Sequence, residues 1–116
     1  MPLLRLTTSA SVSSSEAALL LSSLSGELAL RLGKPESYVM TCVVPTTAMT
    51  FAGTTEPACF AELMNIGTFA PSATAALTAF LCERLSEALG VPSGRIYVSF
   101  TDAKGHLWGH DGETFG

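Results

Sequence analysis

The chain has 116 residues, of which 47% are hydrophobic and 14% are charged, and its formal net charge at pH 7 is −4. This length fits one domain with one core. The negative charge and the lack of any Lys/Arg cluster argue against a nucleic-acid partner, because phosphate neutralisation supplies most of that affinity. No apolar run approaches the roughly 20 residues that cross a bilayer, so no membrane partner is expected.

The first element follows directly on the N-terminus. The residues from Leu3 to Thr8 are mostly apolar and predict a strand that begins after Pro2. A small residue at position 2 allows an aminopeptidase to remove Met1, which would leave the secondary amine of Pro2 as the terminus. An α-amino group titrates near pH ~8, and burial beside a fixed cation would lower its pKa toward neutrality. Pro2 is therefore a candidate base, although proline here is usually a processing feature, and with Met1 retained its nitrogen is an amide.

The second element is a helix with clear signals at both ends. Ser13 and Glu16 form a capping-box pattern, which predicts a helix that begins near Ser14. Gly33 ends the helix, and Lys34 follows it in the turn toward the next strand. A lysine at this position is ordinarily a solvated cation that complements the helix dipole. One apolar stripe recurs at three- and four-residue spacing along the helix: Ala17, Leu20, Leu21, Leu24, Leu28 and Leu32.

The middle of the chain predicts further strands. The segment from Tyr38 to Val44 is rich in β-branched and aromatic residues and indicates a second strand. Met49 to Phe51 indicate a short additional strand, and residues 53–57 form a loop by their turn residues. Cys59 to Ile66 alternate loosely and predict a third main strand, which Gly67 closes.

The last part of the chain repeats the helix and strand pattern. Pro71 suits the first turn of a second helix, and Gly90 terminates it. The residues from Ile96 to Thr101 predict a fourth strand, and a glycine-rich tail follows. His106 and His110 in this tail are interpreted as exposed loop residues, and no metal site is predicted because no third ligand is spaced near them. The packing face of the second helix comprises Ala73, Leu77, Phe80, Leu81, Arg84, Leu85 and Ala88.

An internal repeat organises these elements. Two Leu-Gly-x-Pro segments, at 32–35 and 89–92, lie about half a chain length apart, and each leads to a Tyr-Val pair. The chain is therefore interpreted as one domain of two β-α-β units, roughly 2–57 and 58–116. Right-handed crossovers would place both helices on one face of a four-stranded mixed sheet, an α/β (α+β) fold. The other face of the sheet would be bare, so a homo-oligomer with its sheets turned inward is expected.

Several short motifs occur together in one order: Pro2 behind Met1, Gly33-Lys34-Pro35, Val43-Val44-Pro45, Thr54-Thr55-Glu56-Pro57, Asn65-Ile66-Gly67, Arg95-Ile96-Tyr97-Val98 and Thr114-Phe115. With these landmarks the chain resembles the macrophage migration inhibitory factor (MIF) family of the tautomerase superfamily. The resemblance covers nearly the whole chain. It implies a homotrimer in which strands of three subunits enclose a central channel, with three sites at the subunit interfaces.

The same resemblance implies a cofactor-free keto–enol tautomerase that acts on phenylpyruvate-like or dopachrome-like aromatic substrates, with Pro2 as its base. Lys34 and the backbone N–H of Ile66 would stabilise the enolate oxygen in a dry pocket. Lys34 would also lower the pKa of the Pro2 amine by like-charge repulsion. The substrate-binding walls implied by the resemblance are Tyr38, Tyr97, Ser99, Trp108 and Phe115. Without it, the two tyrosines would be read as cross-strand sheet aromatics.

The sequence also departs from the family. Its CxxC positions fall on Ala58 and Ala61, so thiol–disulfide activity is not expected, and the three cysteines are interpreted as free thiols. Ser99 replaces a pocket asparagine, and the tail around Trp108 differs most. Two other readings stay open: a cytokine-like binding or signalling protein with a vestigial pocket and an unidentified receptor, or a ferredoxin-like module without a site.

The expected location follows from the N-terminal composition. Residues 1–15 contain one arginine and no acid and are rich in Ser and Thr, which superficially resembles a plastid transit peptide. No secretory hydrophobic segment follows a basic start. A cytoplasmic location is therefore predicted, with any release independent of a signal peptide.

Overall fold

The computed structural model describes all residues, 1–116, as two long helices packed on a four-stranded sheet. The main elements in chain order are β1 (Leu3–Thr8), α1 (Ser14–Leu32), β2 (Met40–Val44), β3 (Cys59–Ile66), α2 (Pro71–Leu89) and β4 (Ile96–Ala103). A small hairpin of β5 (Gly109–His110) and β6 (Glu113–Thr114) follows. Short 3₁₀ turns lie at Glu36–Tyr38, Ser93–Arg95 and Gly105–Leu107.

The sheet is mixed, with strand order β2-β1-β3-β4. β1 is parallel to β2, β3 is parallel to β4, and the two central strands are antiparallel. Each long helix therefore connects two neighbouring parallel strands, as helical crossovers do. The predicted fold of two helices and a mixed four-stranded sheet is confirmed.

Caps fix the ends of both helices. The Ser13 hydroxyl accepts a hydrogen bond from the Glu16 N–H while the Glu16 carboxylate accepts one from the Ser13 N–H, which is the predicted capping box. Gly33 and Gly90 end the helices in the left-handed conformation, with φ of 62° and 69°. The Lys34 N–H donates to the carbonyl of Ala29 at 3.0 Å, so the cap also fixes where this lysine leaves the helix.

The core lies between the helices and one face of the sheet. Every second residue of β1, and of β3 as far as Leu63, lies in this core, and both helices contribute leucines at four-residue spacing. Burying one such side chain completely contributes roughly 1.5–3 kcal/mol. The fully buried leucines are Leu4, Leu6, Leu24, Leu28, Leu63, Leu81 and Leu85.

The opposite face of the sheet carries no helix. Met40 and Tyr97 on this face are each 65% exposed. At its centre, Arg5 and Glu62 form a two-point ion pair across the central strands, at 2.9 and 3.1 Å. This face is therefore the uncovered sheet face that the repeat predicts.

No helix of the chain is long and apolar enough to cross a membrane.

One predicted strand begins later than expected, and another is absent. Tyr38 lies in a 3₁₀ turn, where its N–H donates to the Pro35 carbonyl, and the strand begins at Met40. The segment Met49 to Phe51 forms no strand. Phe51 instead exchanges two hydrogen bonds of 3.0 Å with Thr54, so its pairing is satisfied within one tight turn.

The C-terminal region is more ordered than the predicted glycine-rich tail. β4 extends to Ala103 because it remains paired with Ile66 of β3. Beyond it, Asp111 and Gly112 adopt φ of 50° and 82° and turn the chain into the β5–β6 hairpin.

Candidate active site

A cavity of about 390 Å³ opens at the start of β1. It is lined by the N-terminal residues 1–3, by residues 37–40 at the entry to β2, and by residues 108–110 and Phe115 of the tail. This size suits one small organic ligand. The parallel pairing of β1 with β2 places the N-terminus beside residue 40, since the Met40 N–H donates to the Pro2 carbonyl at 3.0 Å.

The surroundings of the N-terminal amine lower its pKa. Burial, and secondly the positive charge of Lys34, lower the pKa of the Met1 amine from its ordinary value of 8.0. Pro2 itself is fully buried beneath it. With Met1 in place the Pro2 nitrogen is an amide, so the basic atom at the cavity is one residue upstream of the predicted one. The catalytic role of Pro2 stays a prediction that requires removal of Met1.

Lys34 and Ile66 meet although they are far apart in sequence. The Lys34 ammonium donates to the backbone carbonyl of Ile66 at 3.3 Å, which joins the end of α1 to the end of β3. Lys34 does not line the cavity. Its positive charge nevertheless lowers the pKa of the N-terminal amine, which does line it. The structure thus brings Lys34, Ile66 and the N-terminus to one end of the sheet. The role of the Ile66 N–H stays a prediction.

Three of the predicted aromatic residues line the cavity. Tyr38 and Phe115 form an edge contact with ring centroids 5.9 Å apart, and Trp108 also lines the cavity. The Phe115 N–H donates to the carbonyls of Trp108 and Gly105, at 3.1 and 3.2 Å, and this holds the tail in place. A Cβ on Gly105 would lie 2.7 Å from the Phe115 carbonyl oxygen, so only glycine allows this approach.

His110 is the cavity residue that the sequence interpretation missed. It is exposed, as expected for a tail residue, but its imidazole packs against two rings. Its ring centroid lies 5.6 Å from that of Tyr38 and 5.8 Å from that of Phe115. The available signal was the Asp111-Gly112 pair, since Asp-Gly is a strong hairpin signal. The hairpin turns this part of the tail toward the cavity.

Tyr97 and Ser99 lie elsewhere within one protomer. Both are exposed on the open face of β4, at the far edge of the sheet from β2, and neither lines the cavity. Tyr97 packs against Phe51, with ring centroids 4.9 Å apart. A single chain therefore does not bring these two predicted binding residues to the amine.

One arginine orders the loop that carries Phe51. The Arg95 guanidinium donates to the backbone carbonyls of Phe51 at 3.1 Å and of Glu56 and Pro57 at 2.8 Å each. It also lies 5.3 Å from the centroid of the Phe51 ring. Arg95 thereby supports the position of Tyr97 through Phe51.

The cysteines have no partners. Cys42, Cys59 and Cys82 are free, and only Cys59 is fully buried. Burial, and secondly the neighbouring Cys82, raise the pKa of the Cys59 thiol to about 11, so it is protonated at neutral pH. No group of three or more His, Cys, Asp or Glu side chains is arranged to hold a metal ion.

Comparisons with known proteins agree on one family. The family described as macrophage migration inhibitory factor (MIF) matches residues 1–116. Among curated proteins, the chain is similar to the MIF homolog of Trichuris trichiura, with 38% identity over 95 residues that cover 82% of this chain and 83% of that protein. It is also similar to MIF of Xenopus laevis, with 33% identity over 96 residues that cover 83% and 84% of the two chains.

Solved structures show the same relationship. The crystal structure of a MIF homologue from Prochlorococcus marinus has a TM-score of 0.94 and 41% identity, and the match covers 98% of this chain and 99% of that one. The structure of MIF from Trichinella spiralis has a TM-score of 0.88 and 33% identity, with coverage of 97% and 99%.

Proposed function

The chain belongs to the macrophage migration inhibitory factor family, and on this premise we propose that it is a keto–enol tautomerase that uses its N-terminal amine as general base. The observation that supports the proposal is the position of the N-terminus at a cavity with aromatic walls, where burial and the charge of Lys34 lower the pKa of the terminal amine, here that of Met1. A lowered pKa leaves more of the amine neutral at a given pH, and a neutral amine can take a proton from carbon and return it. In the mature enzyme this amine belongs to Pro2, after removal of Met1.

The reaction moves one proton and consumes nothing. The neutral amine takes a proton from the carbon next to the substrate carbonyl, the C–H electron pair forms the C=C bond, and the carbonyl oxygen becomes an enolate. We assign the stabilisation of this oxygen to the Ile66 N–H and to the Lys34 ammonium, which must turn from the Ile66 carbonyl toward the cavity when substrate binds. Protonation of the oxygen gives the enol, and the reverse sequence gives the ketone. The amine ends the cycle as it began, so no cofactor is required.

The cavity walls indicate the substrate class. Tyr38, Trp108 and Phe115 provide aromatic surface beside the amine, and such surface binds an aryl ring and excludes water. The proposed substrate, a phenylpyruvate-like or dopachrome-like carbonyl compound, comes from the resemblance to the family, and the aromatic walls are consistent with it. The reacting carbon must lie at the end of the cavity formed by residues 1–3.

We also propose that the active form is a homotrimer with its open sheet faces turned toward a central channel. Exposed Met40 and Tyr97 support an association through this face. In such an assembly Tyr97 and Ser99 would enter the cavity of a neighbouring subunit, which explains why one protomer separates them from the amine. Arg95 and Phe51 would then support a wall of the neighbour's site.

The test combines mass spectrometry with a phenylpyruvate assay. We expect the mature chain to lack the mass of Met1 and to catalyse enolisation, and we expect Pro2→Gly to reduce kcat/KM by at least about a hundredfold because the secondary amine is lost. Pro45→Gly is the matched control, since this proline lies outside the cavity. Activity that is indifferent to Pro2→Gly contradicts the proposed base.

A retained Met1 would support a different function. With Met1 present, Pro2 is fully buried and its nitrogen is not basic. The same fold would then serve as a cytokine-like binding or signalling protein with a vestigial pocket. Sedimentation analysis of the purified chain tests the trimer separately from either function.

A further inference from the structure

The cavity contains a histidine that the proposed proton transfer does not use. The imidazole of His110 meets the ring of Tyr38 edge-on at 5.6 Å and stacks on the ring of Phe115 at 5.8 Å, with an angle of 21° between the stacked planes. These two contacts place the imidazole on the cavity wall. Any aryl ligand that packs on the same two rings would therefore lie next to His110.

The lining of the cavity contains no carboxylate that would repel an anionic ligand. None of the eleven lining residues is acidic. The N-terminal residue is part of the lining, and its amine interacts electrostatically with the positive charge of Lys34. The other titratable groups facing this region are the Tyr38 phenol and, on the hairpin itself, Asp111 and the cross-strand partner Glu113. Neither carboxylate forms an ion pair with His110. The imidazole is thus free to bind a ligand.

We propose that His110 is a specificity-determining residue, which in its protonated form binds the carboxylate of an aryl substrate whose ring packs on Tyr38 and Phe115. This inference rests on the proposed function, because it assigns the charge of the substrate and the residue that selects it. Histidine gains its charge between about pH 8 and pH 5. An aryl carboxylate should therefore bind more tightly at the lower pH, while a neutral ligand of the same shape should not.

Binding can be measured without turnover. The chain has one tryptophan, Trp108, which lines the cavity, so its fluorescence reports occupancy directly. The probes are 3-phenylpropanoate, which lacks the ketone that enolises, and its neutral amide, 3-phenylpropanamide. We expect the carboxylate to bind about three- to tenfold more tightly at about pH 5.5 than at pH 8, the size of one charged hydrogen bond at a partly exposed site. The affinity of the amide should not change.

Two variants separate the charge of His110 from its packing. His110→Phe keeps an aromatic ring against Tyr38 and Phe115 but removes the charge, and His110→Gln removes both. His106→Gln is the matched control, because His106 is the only other histidine and does not line the cavity. Both His110 variants should lose most of the gain in carboxylate affinity at low pH. His110→Phe should still bind the amide, and His106→Gln should behave as wild type.

The N-terminal amine also gains charge as the pH falls, so the outcome depends on the comparison between variants. A pH dependence that is the same in wild type and both His110 variants overturns the inference and assigns the effect to the amine. If neither probe binds to the wild-type protein, the inference and the proposed pocket both fail. If phenylpyruvate turnover depends on Pro2 but its KM is unchanged in the His110 variants, only this inference fails.

Discussion

Replacement of Lys34 by methionine should have two separable effects on catalysis. Methionine keeps an unbranched apolar side chain but removes the ammonium that donates to the Ile66 carbonyl at 3.3 Å. Loss of one preorganised group that stabilises a developing oxyanion lowers the rate by about 10²–10³, which corresponds to roughly 3–4 kcal/mol of transition-state stabilisation. We expect this loss in kcat/KM at every pH.

The second effect is on the base. Lys34 is the smaller of the two causes that lower the pKa of the N-terminal amine, and burial is the larger. In Lys34→Met the pKa of the terminal amine should therefore rise, but only in part, because the burial remains. The neutral base is then less abundant at low pH, so the loss of activity should be greater on the acid side than on the alkaline plateau.

Steady-state kcat/KM for phenylpyruvate between about pH 5 and pH 9 measures both effects. The alkaline plateau gives the loss of oxyanion stabilisation, and the midpoint of the acid limb gives the amine pKa. Lys104→Met is the matched control, because Lys104 is the other lysine of the chain, is exposed and does not line the cavity. A plateau within twofold of wild type would refute the role of Lys34 at the enolate. An unchanged acid limb would refute its effect on the base.

Three further predictions concern the tail, the core and the pH dependence of folding. Gly105→Ala should displace Phe115 and change the Trp108 fluorescence spectrum, whereas Gly94→Ala, where an added Cβ meets nothing within 4 Å, should not. Leu63→Ala should lower the free energy of unfolding in urea by about 2–5 kcal/mol, because this side chain is fully buried in the core, and a smaller loss would contradict that packing. In a chain that retains Met1, the folded-state pKa of its amine is lowered, so the burial of this amine costs stability below that pKa and the cost disappears toward pH 8.0. Urea unfolding should show this rise in stability, and N-terminal acetylation should remove it.

Local signals were sufficient to predict the helices and most of the strands. The capping box at Ser13 and the glycine at position 33 act within a few residues, and both ends of α1 lie where these signals place them. β3 spans Cys59–Ile66 as its alternation indicates. The mixed sheet also follows from the repeat, because right-handed crossovers leave few arrangements for two β-α-β units.

The site depended on long-range contacts that no local pattern contains. Lys34 reaches Ile66 only because α1 ends above the end of β3. The side chain of Tyr38 is typical of a strand, but the hydrogen bond from its N–H to the Pro35 carbonyl forms a turn instead, and in this turn the ring packs against Phe115 of the tail.

The sequence alone predicted the fold and the candidate amine, because capping, hydrophobic spacing and the position of Pro2 can be read from short segments, and the resemblance to the family added Lys34 as the cation that lowers the pKa of that amine. Only the tertiary structure decided which side chains surround that amine. It brought His110 onto the cavity wall through the Asp111-Gly112 hairpin and left Tyr97 on the open face of β4. The physical reason is that local sequence does not fix the direction in which these side chains point. Pairing between distant strands and the packing of the tail set that direction.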